Sequence, residues 1–271
     1  MAKLTEYVAA TRFDTGDILI KDGTNGTKKI TVKDAATEFA GLVSAVNHRN
    51  IFRGKNLGST ITDAQKAAIA NGTFDDLFIG DYWVINGVNW TIADMDYWYN
   101  HGDTAFTNHH LVIIPSNQLY TARMNETNTT EGGYVGSEMY TDNLEQAKTA
   151  FANAFGDMLL THREYLINAT TDGYASCGAW FDSTVELMNE NMVYGCMIRA
   201  EANGPTPVAT TTNSKQQLAL FQLNPKVIGR QNIWLRDVVS ESYFAFVNYD
   251  GRAGSGYASG VLGVRPVAAI G

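Results

Sequence analysis

The closing forty residues, Asn232 to Gly271, constrain this chain more than any other stretch. Two stiff apolar runs, Ile233-Trp234-Leu235 and Val264 to Ile270, bracket a middle crowded with Ser, Gly, Ala, Tyr, Asn and Asp. The β-branched and aromatic ends fit buried strands. The middle has the make-up of a binding surface, in which Tyr supplies contact area at low entropy cost and Ser, Gly and Asn supply adaptable hydrogen bonds. A chain built this way needs a rigid body beneath that surface.

With 271 residues the chain can bury a full core, as one large domain or a domain with an appendage. A hydrophobic fraction of 45% is ordinary for a globule, and no apolar run reaches the length of a membrane span. The opening MAKLTEYVAATRFD lacks the charged head and apolar stretch of a signal peptide, so synthesis in a cytoplasm without general secretion is expected. Net charge is −8, but residues 1–70 hold ten Lys/Arg against seven Asp/Glu, a balance of +3 that leaves −11 for residues 71–271. An acidic main body excludes nucleic acid and anionic membranes as partners. Cys177 and Cys196 have no CxxC or His-rich context, which predicts two buried reduced thiols.

Residues 1–45 read as a unit apart. Ile18-Leu19-Ile20 is a short strand, the DG and NG dipeptides between Lys21 and Gly26 mark turns, and Lys28 to Val32 is a second extended piece. Ala36, Phe39, Ala40 and Val43 share one helical face. Such a unit buries little area alone and needs a partner. Residues 46–74 read as a linker and a helix. Asn47 to Ser59 is the linker, and Thr62 with Gln65 is a capping box opening a helix that ends at Asn71-Gly72.

From residue 75 onward the signals are mixed. Leu77 to Ile85 and Val88 to Ala93 flank Asn86-Gly87, a hairpin signal with Trp83 and Trp90 in its core. Leu111 to Ile114 is a strand stopped by Pro115, and Asn117 to Thr141 is polar and loop-rich. Asp142 caps a helix with Leu144, Ala147, Phe151 and Phe155 on one stripe, closed by Gly156. Ser183 and Glu186 form a capping box for a helix from Leu187 to about Asn191. Gly204 to Ser214 is a surface loop and Leu218 to Leu223 a strand. Hairpins, two mid-chain helices and late strands indicate an α+β domain.

Two resemblances follow from these motifs. ILIKDG, a Gly-rich turn and TKKITV running into a helix resemble the virion-attachment segment of phage fibre proteins. Trp234-Leu235-Arg236 followed by Gly263-Val264-Arg265-Pro266, with Gly80 to Trp90 as an opening hairpin, resembles a bacterial and phage family of C-type lectin-like fold. The whole chain is similar to phage proteins whose C-terminal region is diversified by a retroelement, the major tropism determinant type. In that family adenine randomisation reaches Asn, Asp, Tyr, Ser, Gly, Ala, Phe, Val and similar types but not Lys, Glu, Gln, Met or Trp, and from Ser240 to Leu262 only Glu241 is of an unreachable type. The resemblance implies a ligand face of Ser242, Tyr243, Phe246, Asn248, Tyr249, Asp250, Arg252, Ser255 and Tyr257, framed by Trp234, Arg236, Arg265 and Pro266. Strand alternation predicts that some of these nine face the core instead.

Other chemistry is thinly represented. Asp94, Asp96 and Asp103 with His101 lack the Asp-x-Asp-x-Asp-Gly calcium loop and read as solvated carboxylates. His109-His110 at the mouth of a strand would send its rings to opposite faces. His162 beside Glu164 has no GxSxG elbow, and no GxGxxG or P-loop is present. Arg236 and Arg265 sit in apolar contexts where a buried guanidinium requires a carboxylate or carbonyl partner.

The expectation is therefore an α+β chain without cofactor, metal or enzymatic activity. It has a virion-attachment segment (1–45), a linker and helix (46–74) and a C-type lectin-like display domain (75–271). Its expected place is the virion, as a homotrimer joined to other virion proteins through residues 1–45. Residues 240–262 would meet a bacterial surface protein or glycan, with a structural capsid decoration protein, and then an enzyme on a lectin-like fold, as alternatives.

Overall fold

The computed structural model describes residues 18–21, 28–31, 48–200 and 216–271. The helix read between Ala36 and Val43 and the loop read at Gly204 to Ser214 lie outside the described residues. Strands β1 (Ile18–Lys21) and β2 (Lys28–Thr31) pair antiparallel, as the turn dipeptides between them require.

The described architecture is mixed α+β, with two main sheets. The first has six strands. β3 (Tyr82–Ile85) and β4 (Val88–Met95) form the expected hairpin, and Asn86 (φ 52°) and Gly87 (φ 77°) both take the positive φ that a type I′ turn demands. The strand read from Leu77 begins only at Tyr82. β4 pairs with β5 (Leu111–Pro115), and β5 with the chain's last strand, β15 (Pro266–Ile270). β7 (Leu159–Leu160) and β10 (Val185–Leu187) also pair with β15. The second sheet runs β13 (Ala253–Tyr257), β12 (Tyr243–Val247), β11 (Ile233–Ser240), β14 (Leu262–Val264) and β6 (Tyr120–Ala122). The core lies between and around these layers, with Trp83, Trp90, Trp98 and Trp234 all buried.

Helix α1 (Asp63–Ala70) has the full Thr62/Gln65 capping box and ends at Asn71. Before it, residues 48–59 hold to the β3 edge: Phe52 and Asn56 bridge to Ile79 and Tyr82, and Arg49 and Arg53 pair with Asp94 and Asp81. Helix α2 (Glu145–Phe155) buries the predicted stripe of Leu144, Ala147, Phe151 and Phe155, with Trp90 edge-on to Phe151 at 4.5 Å. Asp142 does not cap it. A single π turn, Met139–Asn143, leads in instead, and the end falls at Gly156 as expected.

Three further expectations are corrected. Ser183 and Glu186 do not open a helix: Ser183 Oγ bonds the Glu186 carboxylate at 2.8 Å and Val185–Leu187 is strand β10. The helix there is α3 (Glu190–Tyr194), capped by Asn189. Leu218 to Leu223 contains helix α4 (Ala219–Leu223), not a strand, since a short apolar run carries no periodicity to separate the two. Cys177 and Cys196 are exposed free thiols, not buried ones.

Candidate ligand-binding surface

The candidate surface is the edge of the second sheet, where β11, β12 and β13 follow one another as a meander. Tyr243 lies opposite Tyr257, Ala245 opposite Ser255 and Val247 opposite Ala253, while Phe244 and Phe246 face Gly256 and Gly254. Alternation therefore puts Tyr243, Ser255 and Tyr257 on one side of the ribbon and Phe246 on the other.

None of the nine predicted ligand residues is fully buried, and one of them, Phe246, packs against the core. Tyr249 (65% exposed) and Tyr257 (53%) stand well out, and Asp250, Arg252 and Ser255 are exposed with them. Ser242, Tyr243, Phe246 and Asn248 are half-buried. The fully buried residues of β12 are Phe244 on one face and Ala245 and Val247 on the other, none of them among the nine. Tyr243 and Tyr257 make a ring pair with centroids 4.5 Å apart, and their mutual hydrogen bond raises the Tyr243 hydroxyl above its ordinary pKa. At the far end the turn closes through Asn248 N–H to Arg252 O (2.8 Å) and Gly251 N–H to Asn248 O (2.8 Å). There Arg252 Nε donates to Asp250 at 2.7 Å, holding that carboxyl below the usual range.

Phe246 is placed differently from the other eight. Its ring packs edge-on to buried Trp234 at 6.2 Å and lies across Gly254, where a Cβ would come within 2.6 Å of Phe246 Cζ. Gly256 gives Trp234 similar room, at 3.1 Å. The small residues of β13 are thus slots for two rings, and Phe246 belongs to the support as much as to the surface.

The frame below is strongly tied. Trp234 Nε1 donates to Ala122 O at 2.9 Å. Arg236 finds the carboxylate its burial requires in Glu164, at 2.8 Å, and Arg265 finds the carbonyls of Pro115 (2.8 Å) and Val227 (3.0 Å). Burial lowers the Arg265 guanidinium to about 10, with no carboxylate to offset it. Pro266 is buried at the start of β15.

Sequence reasoning missed two features. Val261, 63% exposed, adds an apolar side chain within 240–262 that was not among the nine. The larger omission is the ribbon of β8 (His162–Thr171) and β9 (Tyr174–Ser183), whose Asp172-Gly173 turn packs on Glu241 at the β11–β12 turn. The Asp-Gly dipeptide between two ten-residue extended stretches was the available signal.

The acidic residues near residue 100 do not converge. Asp94 is buried against Arg49, Asp96 bonds His109 Nδ1 at 2.8 Å, and Asp103 bonds Arg163. The His109 and His110 rings differ as alternation implied: His109 is half-exposed, whereas His110 is buried and bonds Asn108 O. Among the described residues no group of three or more His, Cys, Asp or Glu could hold a metal ion. None of the helices of the described residues is long and apolar enough to cross a membrane. No protein-family model, no curated protein and no solved structure matches this chain.

Proposed function

We propose that this chain is a phage virion fibre or receptor-binding protein that presents residues 240–262 to a ligand on the bacterial surface. One observation carries the reading. Five of the nine side chains on this edge are exposed, although the backbone that bears them sits on a fully packed frame. Exposed Tyr on a rigid meander matches the chemistry of an evolved binding surface, where aromatic anchors supply most of the energy. The finer assignment, to a C-type lectin-like domain with a retroelement-diversified region, is supported by the framework role of Trp234-Leu235-Arg236 and Arg265-Pro266. Residues 1–45 would join the chain to other virion proteins as a trimer, so that weak single contacts are multiplied by copy number.

The test is the combined replacement of Tyr249, Asp250, Arg252 and Tyr257 by alanine. All four are exposed, so melting should move by no more than about 4 °C. Adhesion of virions carrying the variant to host cells should disappear. Retained adhesion would overturn the reading, and loss of the protein from assembled particles would favour a capsid decoration role.

A further inference from the structure

The outer face of the β8–β9 ribbon carries two aromatic side chains that lie outside the hydrophobic core. Tyr165 and Trp180 stand directly opposite each other, both half-buried, with ring centroids 5.5 Å apart at 77°. Alternation separates them from His162, Glu164 and Leu166, which are buried on the inner face. The Tyr165 ring lies across Gly178, where a Cβ would come within 2.5 Å of its Cε1. The phenol therefore forms a floor along the ribbon and the indole a wall beside it.

A fixed polar rim adjoins this corner. Arg163, two residues before Tyr165 on the same face, bonds Asp103 (2.8 and 3.0 Å), Asp182 (2.8 Å) and the Trp180 carbonyl (3.1 Å). The two carboxylate side chains remain 41% and 73% exposed, which leaves lone pairs open to solvent.

We propose that this corner is a saccharide-binding site that takes a neutral pyranose ring. The C–H face of a pyranose presents weakly positive hydrogens, which suit the negative face of an aromatic ring. Its peripheral hydroxyls can donate to the Asp103 and Asp182 carboxylates and accept from Arg163. An anionic ligand would meet two carboxylates for one guanidinium. A cationic one would have to displace Arg163 from partners it already holds. A purely apolar ligand would strip water from the rim without replacing its hydrogen bonds.

The corner lies roughly 23 Å along the ribbon from the turn at Asp172-Gly173, taking seven residues at about 3.3 Å each. It shares no residue with the 240–262 surface, and the inference does not rest on the receptor-binding reading. In a receptor-binding protein it would add a second weak contact to the first.

Saturation-transfer NMR on the full chain tests this directly. The probes are methyl glycosides of glucose, galactose, mannose, N-acetylglucosamine and N-acetylgalactosamine, with tetramethylammonium as the cationic control. Transfer to the ring protons of at least one sugar is expected, with loss of at least tenfold in affinity in Trp180→Ala and Tyr165→Ala. Asp182→Asn alters only an exposed rim group and should weaken the same sugar at least threefold, so the test stands even where an aromatic variant fails to fold. The alanine variant at Tyr249, Asp250, Arg252 and Tyr257 should bind that sugar as the natural chain does, which separates this site from the display surface. No transfer to any sugar, an affinity unchanged in the folded variants, or binding of tetramethylammonium in the sugar's place would overturn the proposal.

Discussion

Arg236 and Glu164 form a buried ion pair, with Nη2 and Oε2 at 2.8 Å, that fastens the display sheet to the β8–β9 ribbon. Burial alone would push the Glu164 carboxyl up, but the Arg236 charge and the nearby His162 outweigh it and hold it at about 2. Trp98 Nε1 occupies the other carboxylate oxygen at 2.7 Å. Glu164→Gln leaves a buried guanidinium without its closest counter-charge, and such losses cost on the order of 3–5 kcal/mol. Melting should fall by roughly 10 °C. A calorimetric melt that hardly moves would mean the pair does not secure the two elements.

Gly254 and Phe246 make a second dependency, within the display edge itself. A methyl group at residue 254 meets the Phe246 ring at 2.6 Å, so Gly254→Ala should destabilise by about 1–3 kcal/mol through overpacking. Phe246→Ala removes the obstruction. In the double variant the two effects should therefore couple, with a total cost smaller than the sum of the single ones. Additive costs in denaturant melts would show that the ring and the glycine do not constrain each other.

These two relationships mark what was legible in the sequence. Local signals held: the Asn86-Gly87 turn between Trp83 and Trp90, the Thr62/Gln65 box and the α2 stripe each depend on residues close in the chain. Signals failed where a distant partner took over a local pattern. Glu186 reads as a capping residue, yet it is bonded by Tyr134 from fifty-two residues away and by Ser183 within the buried interior. Leu218 to Leu223 turns helical where Ala219 N–H meets the Asp94 carboxylate across the core. At the surface, where five of the nine expected residues are exposed, composition pointed only to the region as a whole. It could not reveal that the glycines of β13 are shaped by Trp234 and Phe246, because that needs the register of three strands.

The two thiols give a simple check on the mid-chain placement. Cys177 on β9 and Cys196 just after α3 are both exposed and free. Native protein should react promptly with a thiol reagent at both positions, before any unfolding. Modification should leave the thermal midpoint within about 2 °C, since neither side chain is packed. Reaction that waits for denaturant would contradict the placement of that strand or turn.

The pH dependence of stability reports on two groups, His110 and Asp237, that work in opposite directions. His110 is held neutral by geometry: its Nδ1 donates to Asn108 O at 2.9 Å and its Nε2 accepts the Trp98 amide at 3.1 Å. Burial lowers its pKa to about 4, against the pull of the Asn108 carbonyl and Asp96, with His162 and His109 adding to the lowering. The unfolded chain then binds the extra proton between about pH 6.5 and 4. This stabilisation, on the order of 3 kcal/mol, is therefore complete above pH 6.5 and lost as pH falls. Asp237, bonded by the Glu190 amide at 2.7 Å, is raised to about 7 by burial and by the Glu190 charge. Its native state keeps a proton that the unfolded chain releases from about pH 4 upward, so its contribution is lost as pH rises toward 7. The natural chain should show a shallow profile between pH 4 and 6.5, because the two slopes offset each other. Asp237→Asn removes one of them, and its denaturant midpoint should climb steadily across that window and exceed that of the natural chain at pH 7. An equally shallow profile in the variant would place the titrating group elsewhere.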